Sequence, residues 1–150
     1  MSNQPLSPLE QHEMLSDITL GILETLPMGW ARLIVRGTIV GRYAARETGV
    51  KMPDGSVQGL SFPPEAWRKF QDLRHGMYAS GLGTWVEFEY VLDPPGRFHI
   101  DYNRDRQPRF RKTPTSQDFA LENKWFPRSD EHMPDWFRRG LDGASADTTE

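Results

Sequence analysis

Glu87, Glu89, His99 and Asp101 come nearest, by type and spacing, to a set of side chains that does chemistry. They lie in TWVEFEYVLDPPGRFHIDY, from Thr84 to Tyr102, which reads as two β-strands joined by a tight turn. Successive side chains of a strand point to opposite faces. Val86, Phe88, Tyr90 and Leu92 alternate with Trp85, Glu87, Glu89 and Val91. After the turn, Phe98, Ile100 and Tyr102 alternate with Arg97, His99 and Asp101. If Val91 pairs with His99, Glu89 lies opposite Asp101, and like charges so placed destabilise a sheet. Three readings fit this face. The default is a solvated surface with arginine neighbours from adjacent strands. The second is an acidic surface that docks a basic partner. The third is a metal-dependent or acid–base enzyme using Glu87, Glu89, Asp101 and His99. Hard cations take oxygen ligands, and neighbouring carboxylates push their pKa values apart.

Other constellations are less specific. Arg104, Arg106, Arg109, Arg111 and Lys112 form a basic run around Phe110. It is able to touch phosphates, but a loop paired with nearby carboxylates is simpler. His12, His75, His99 and His132 match no metal spacing such as HExxH, and no GxSxG elbow accompanies them. Gly81 and Gly83 precede a strand rather than a helix, so no nucleotide cofactor is expected. The chain has no cysteine, which excludes a disulfide framework, a zinc ribbon and a cysteine nucleophile. Its formal charge of −3 weighs against nucleic acid as a partner. No apolar run approaches the roughly 18 residues that span a bilayer. MSNQPLSPLEQHE has no basic stretch leading into an apolar one. The expectations are no cofactor, no metal, no membrane and a cytoplasmic location.

The elements that must hold the hairpin are legible from caps and breakers. Ser7-Pro8-Leu9-Glu10 starts a helix, with serine as cap, proline in the first turn and glutamate completing a capping box. It runs to Thr25 on the stripe Leu15, Ile18, Ile22 and Leu26, and Gly21 is read as a close-packing position against a sheet. Trp30–Arg36 and Ile39–Glu47 read as strands with a turn near Gly37, and Val57–Phe62 as a third. Pro63-Pro64-Glu65 opens a second helix carrying Ala66, Trp67, Phe70, Leu73 and Met77. The hairpin follows, its loop Pro94-Pro95-Gly96 placing Gly96 at positive φ. Thr115 caps a third helix with Phe119, Leu121, Trp125 and Phe126, and a short last one begins at Pro134. Short connections predict an antiparallel sheet. The fold class is α+β, about five strands with helices packed on one side, in the order α-βββ-α-ββ-α-α. The 150 residues make one domain, with flexible ends at about 1–6 and 142–150.

TWVEFEYVLDPPGRFHIDY together with WFPRSDEHMPDWFRR resembles the YezG-type immunity proteins of bacterial polymorphic toxin systems. It is most similar to actinobacterial members encoded beside NAD-degrading toxins. Those share a tryptophan-rich strand, a Pro-Pro-Gly turn, a strand ending in Asp-Tyr or Asp-Phe, and Phe-Pro-Arg before Pro-Asp-Trp. The likeness covers the last half of the chain, and the first half agrees in layout. Asp101-Tyr102 is here followed by Asn103, Arg104, Asp105 and Arg106 where the family continues with acidic and aromatic residues. The resemblance implies a non-enzymatic protein that binds a cognate toxin domain, such as an NADase, and blocks it. Partner contact then falls to Glu87, Glu89, Asp101, Tyr102 and Asp105, while Trp85, Phe88, Phe98, Ile100 and Trp125 serve structure. This docking surface requires the carboxylates to be uncovered and not already answered by arginines of the same chain.

Overall fold

In the computed structural model, residues 4–143 are described. Of the ends expected to be flexible, 1–3 and 144–150 lie outside that range. Leu6, inside it, packs against the core and donates its N–H to the Gly76 carbonyl at 2.8 Å. The chain runs α1 (Pro8–Leu23), β1 (Arg32–Val40), β2 (Tyr43–Lys51), β3 (Val57–Gln58), α2 (Pro64–Gly76), β4 (Glu87–Asp93), β5 (Arg97–Asn103), α3 (Ser116–Trp125), a 3-10 turn (Asp130–His132) and α4 (Asp135–Asp142). The fold is α+β, with one five-stranded antiparallel sheet in the order β3-β2-β1-β4-β5. No helix among the described residues is long and apolar enough to cross a membrane.

Local chemistry sets the helix starts. The Ser7 hydroxyl accepts from the Glu10 N–H at 3.1 Å, and the Glu10 carboxylate accepts from the Ser7 N–H at 2.8 Å. Thr115 and Asp118 repeat that capping box on α3. Each reciprocal pair satisfies two otherwise orphaned donors. α1 buries Leu15, Ile18 and Ile22, and α2 buries Ala66, Phe70 and Leu73. Both lie on the sheet face made by Leu33, Val35, Ile39, Val50, Phe88, Tyr90 and Leu92. Phe70 stacks on Phe88 with centroids 4.5 Å apart and meets Tyr90 edge-on. The Tyr90 hydroxyl shares a hydrogen bond of 2.6 Å with Thr19, which ties α1 to the sheet. Gly21 is exposed, with open space where a Cβ would sit, so it is not the close-packing position expected.

Two glycines exchange the roles expected of them. Gly37 lies inside β1, paired with Arg46 and Phe88, and a Cβ there would come within 2.5 Å of the Phe88 ring. The turn sits instead at Gly41, whose φ is 59°. A glycine inside a strand marks close approach of a neighbour, and here the neighbour is an aromatic ring that contiguous sequence does not reveal. β3 is also shorter than expected, and Gly96 is not at positive φ; the Pro94–Pro95 peptide is cis.

A break in alternation opens β4. Val86 N–H donates to the Asn103 carbonyl at 2.8 Å, and Asn103 is also the residue opposite Glu87. Two residues thus face one, the pattern of a β-bulge. Trp85 therefore joins Phe88 in the core under α1 and α2, although simple alternation places it beside Glu87. Val86 turns away and joins Val40, Phe119, Trp136 and Phe137 in a second cluster that anchors α3 and α4. Trp125, expected to anchor its helix, is 44 % exposed; Phe126 is the buried residue of that pair.

Two buried arginines fasten this second cluster. Arg74 of α2 is ion-paired with Glu122 of α3 and donates to the carbonyls of Trp85 and Ile39 at 2.9 and 3.2 Å. Glu122 also accepts the Gly41 N–H at 2.9 Å. Arg128 donates to the carbonyls of Arg104 and His132 at 2.6 and 3.2 Å and to Asp105 at 3.1 Å. Buried charges persist when they are paired and hydrogen-bonded. Burial pushes the Arg128 guanidinium below its ordinary value, and the Asp105 charge opposes that shift.

Candidate functional site

The sheet face turned away from α1 and α2 is built from alternate residues of four strands. Register across β2, β1, β4 and β5 sets Glu47, Arg36, Glu89 and Asp101 in one row. The next row is Gly49, Ile34, Val91 and His99, and beyond it Arg32 stands between Lys51 and Asp93. On the other side of the acidic row come Ala45, Thr38, Glu87 and Asn103. The expected opposition of Glu89 with Asp101 and of Val91 with His99 is present.

Arginine answers much of that acid. Arg36 Nε donates to Glu89 Oε2 at 2.8 Å. Arg32 grips both oxygens of Asp93, with Nε at 2.7 Å and Nη2 at 3.0 Å. The Arg32 hydrogen bond, followed by its charge, holds the Asp93 carboxyl below the usual range, and Asp93 in turn raises the Arg32 value. Glu87 accepts from Asn103 Nδ2 at 3.0 Å and from the Arg109 N–H at 3.1 Å. The basic segment thus folds back across one end of the face, where Arg36, Glu87, Glu89, Asp101, Arg106 and Arg109 enclose a cleft of about 380 Å³. The surface expected to be acidic is a mixed-charge surface. β1 lies beside β4, and this adjacency cannot be read from the hairpin alone.

The five residues expected at the partner contact do not form one patch. Glu87, Glu89 and Asp101 share the uncovered face. Tyr102 turns to the other side, stacked on Trp85 at 5.5 Å, and burial raises its phenol to about 12. Its alternation with Phe98 and Ile100 already signalled that placement. Asp105 lies past the end of β5, held between Arg128 and Arg104 at 3.1 and 3.3 Å.

Residues outside that expectation stand at the centre. Ile34 and Val91 are directly opposed, half-buried and uncovered by any helix among the described residues, and Val57, 68 % exposed and paired with Lys51 in the next row, leans against Gly49. Arg32 and Arg36 bracket them. Their signal was a hydrophobic residue at the parity of two arginines in β1. An apolar strip framed by ion pairs has the layout of a protein-recognition surface, with a desolvated centre and a charged rim. Among the described residues, no three His, Asp or Glu side chains are grouped so as to hold a metal ion. No known family model matches this chain, and no curated protein matches its sequence.

Proposed function

We propose that this protein is an immunity protein that neutralises a cognate toxin domain by stoichiometric binding through the uncovered sheet face. The observation that carries this reading is the Ile34–Val91 strip between the Arg32–Asp93 and Arg36–Glu89 ion pairs. The resemblance of the hairpin and C-terminal segment to YezG-type immunity proteins supports the same reading and makes an NAD-degrading toxin the first candidate. In this view the protein acts in the cytoplasm and has no catalytic role. Ion pairs already formed within the face call for a partner carrying both signs of charge, with an apolar anchor for the centre. Complementary charge would select the partner and speed encounter.

The test is co-expression with the toxin encoded beside this gene. Cells survive with the wild-type chain and die with an Ile34→Asp/Val91→Asp variant that melts like the wild type. Killing that is equal with and without this protein overturns the reading.

A further inference from the structure

We infer that the outer edge of β5 is a self-complementary seam that joins two copies of this chain into one continuous sheet. Among the described residues, β5 is the last strand of the sheet and pairs only with β4. Because the Asn103 carbonyl accepts from Val86 on the β4 side, Asn103 directs its main-chain groups inward. Main-chain direction alternates along an antiparallel ladder. Arg97, His99 and Asp101 therefore also face β4, while Phe98, Ile100 and Tyr102 present their N–H and C=O groups to the outside. The opposite edge differs. β3 is two residues long, and the Leu60 carbonyl lies against β2, accepting from the Thr48 hydroxyl at 3.2 Å.

Edge strands usually resist self-pairing through like charges, proline or brevity. β5 is seven residues long, and its exposed face carries a base and an acid two positions apart. An antiparallel two-fold pairing centred on Ile100 sets Ile100 opposite Ile100, Phe98 opposite Tyr102, His99 opposite Asp101, and Arg97 opposite Asn103. The outward-facing residues fall on the hydrogen-bonded positions that such a register needs. Apolar side chains meet on one face, and His99 meets Asp101 on the other. Within one chain His99 Nε2 lies 3.3 Å from Asp101 Oδ2, a contact the seam exchanges for the same pair across copies, and both side chains are well exposed, at 72 % and 69 %. Centring the pair on Asp101 instead would oppose two carboxylates. The two-fold axis stands perpendicular to the sheet, so α1 and α2 of both copies lie on one side and both Ile34–Val91 strips on the other. A seam of one strand falls below the ~1,200 Å² of a standard stable interface. The dimer is therefore a weak, transient one.

Sedimentation velocity across the micromolar range tests this without any toxin. The mass should climb with concentration from 17.3 kDa toward twice that value. Ile100→Pro removes an N–H that faces away from β4 and has no partner among the described residues, as edge positions tolerate, and should abolish the climb while the circular dichroism spectrum is retained. His99→Asp sets Asp against Asp101 at two symmetric places and should weaken association about fivefold. His99→Asp/Asp101→Lys should restore it to the wild-type level or beyond. A wild-type chain that stays monomeric overturns the inference, as does a folded Ile100→Pro variant that still dimerises. If that variant fails to fold, the charge series decides. Equal association by all of its members overturns the seam, and loss followed by recovery supports it.

Discussion

Under α1 and α2 the sheet is closed by aliphatic and aromatic side chains, with the Thr19–Tyr90 hydroxyl pair as a polar contact within them. Under α3 and α4 the apolar cluster is smaller, and Arg74–Glu122 and the Arg128 network stand at its border. The first region gains stability in proportion to the apolar area removed from water, without directional demands. The second depends on a few directed bonds among charges and carbonyls that have no water to fall back on. The two therefore differ in how they fail. Loss of one ring from the large cluster leaves a cavity, whereas loss of one partner from the small one leaves an uncompensated buried group.

Arg128→Met is the sharpest test of that contrast. It strips partners from the carbonyls of Thr84, Arg104 and His132 and from Asp105, and should cost about 3–5 kcal/mol in urea unfolding. Hydrogen exchange should speed up first across α3 and α4, with β1 and β4 still protected. Uniform loss of protection would mean that the two regions act as one cooperative unit. Gly37→Ala attacks the other region. Its new methyl meets the Phe88 ring backed by Trp67, and an overpacked core costs about 1–3 kcal/mol. Here the melting temperature should fall with every segment losing protection together.

Base separates the regions by another route. Burial raises the phenols of Tyr90 and Tyr102, both at the large cluster, to about 12 from an unfolded value of about 10. For an acid whose folded pKa is raised, the neutral form is the one stabilised. That stability is complete below pH ~10 and is lost as pH rises from ~10 to ~12, by about 1–3 kcal/mol per group. Tyr90→Phe should flatten its share of the slope in denaturant titrations across that window. The smallest effect belongs to the uncovered face. Arg36→Ala should change stability by less than about 1 kcal/mol because the Arg36–Glu89 pair is largely solvated. If the protein acts as proposed, the same change should nonetheless weaken binding of the cognate toxin domain, measured by calorimetry, by altering the rim of the Ile34–Val91 strip.

The hairpin and the helix starts were legible because their signals are local. Period-two alternation placed Glu89 opposite Asp101, and Ser7 with Glu10 marked α1 within one turn. Other particulars were hidden. Gly37 reads as a turn until Phe88 is known to cross it, and alternation alone sets Trp85, assigned to structure, beside Glu87 until the bulge at Val86 turns it inward. The Phe-Pro-Arg segment was recognised as a motif, yet nothing nearby in sequence foretold that its Arg128 would be buried among carbonyls more than twenty residues away.

Where a strand runs without a bulge, residue order alone determined which side chains share a face, because that is a property of the extended backbone and needs no neighbour. It also determined where the helices begin, since a cap is a bond across three residues. Whether the carboxylates present bare negative charge was decided only by tertiary structure. Arg36 and Glu89 are 53 positions apart and meet because β1 pairs with β4. The sign of a surface is a sum over neighbours in space, and long-range strand pairing chooses those neighbours.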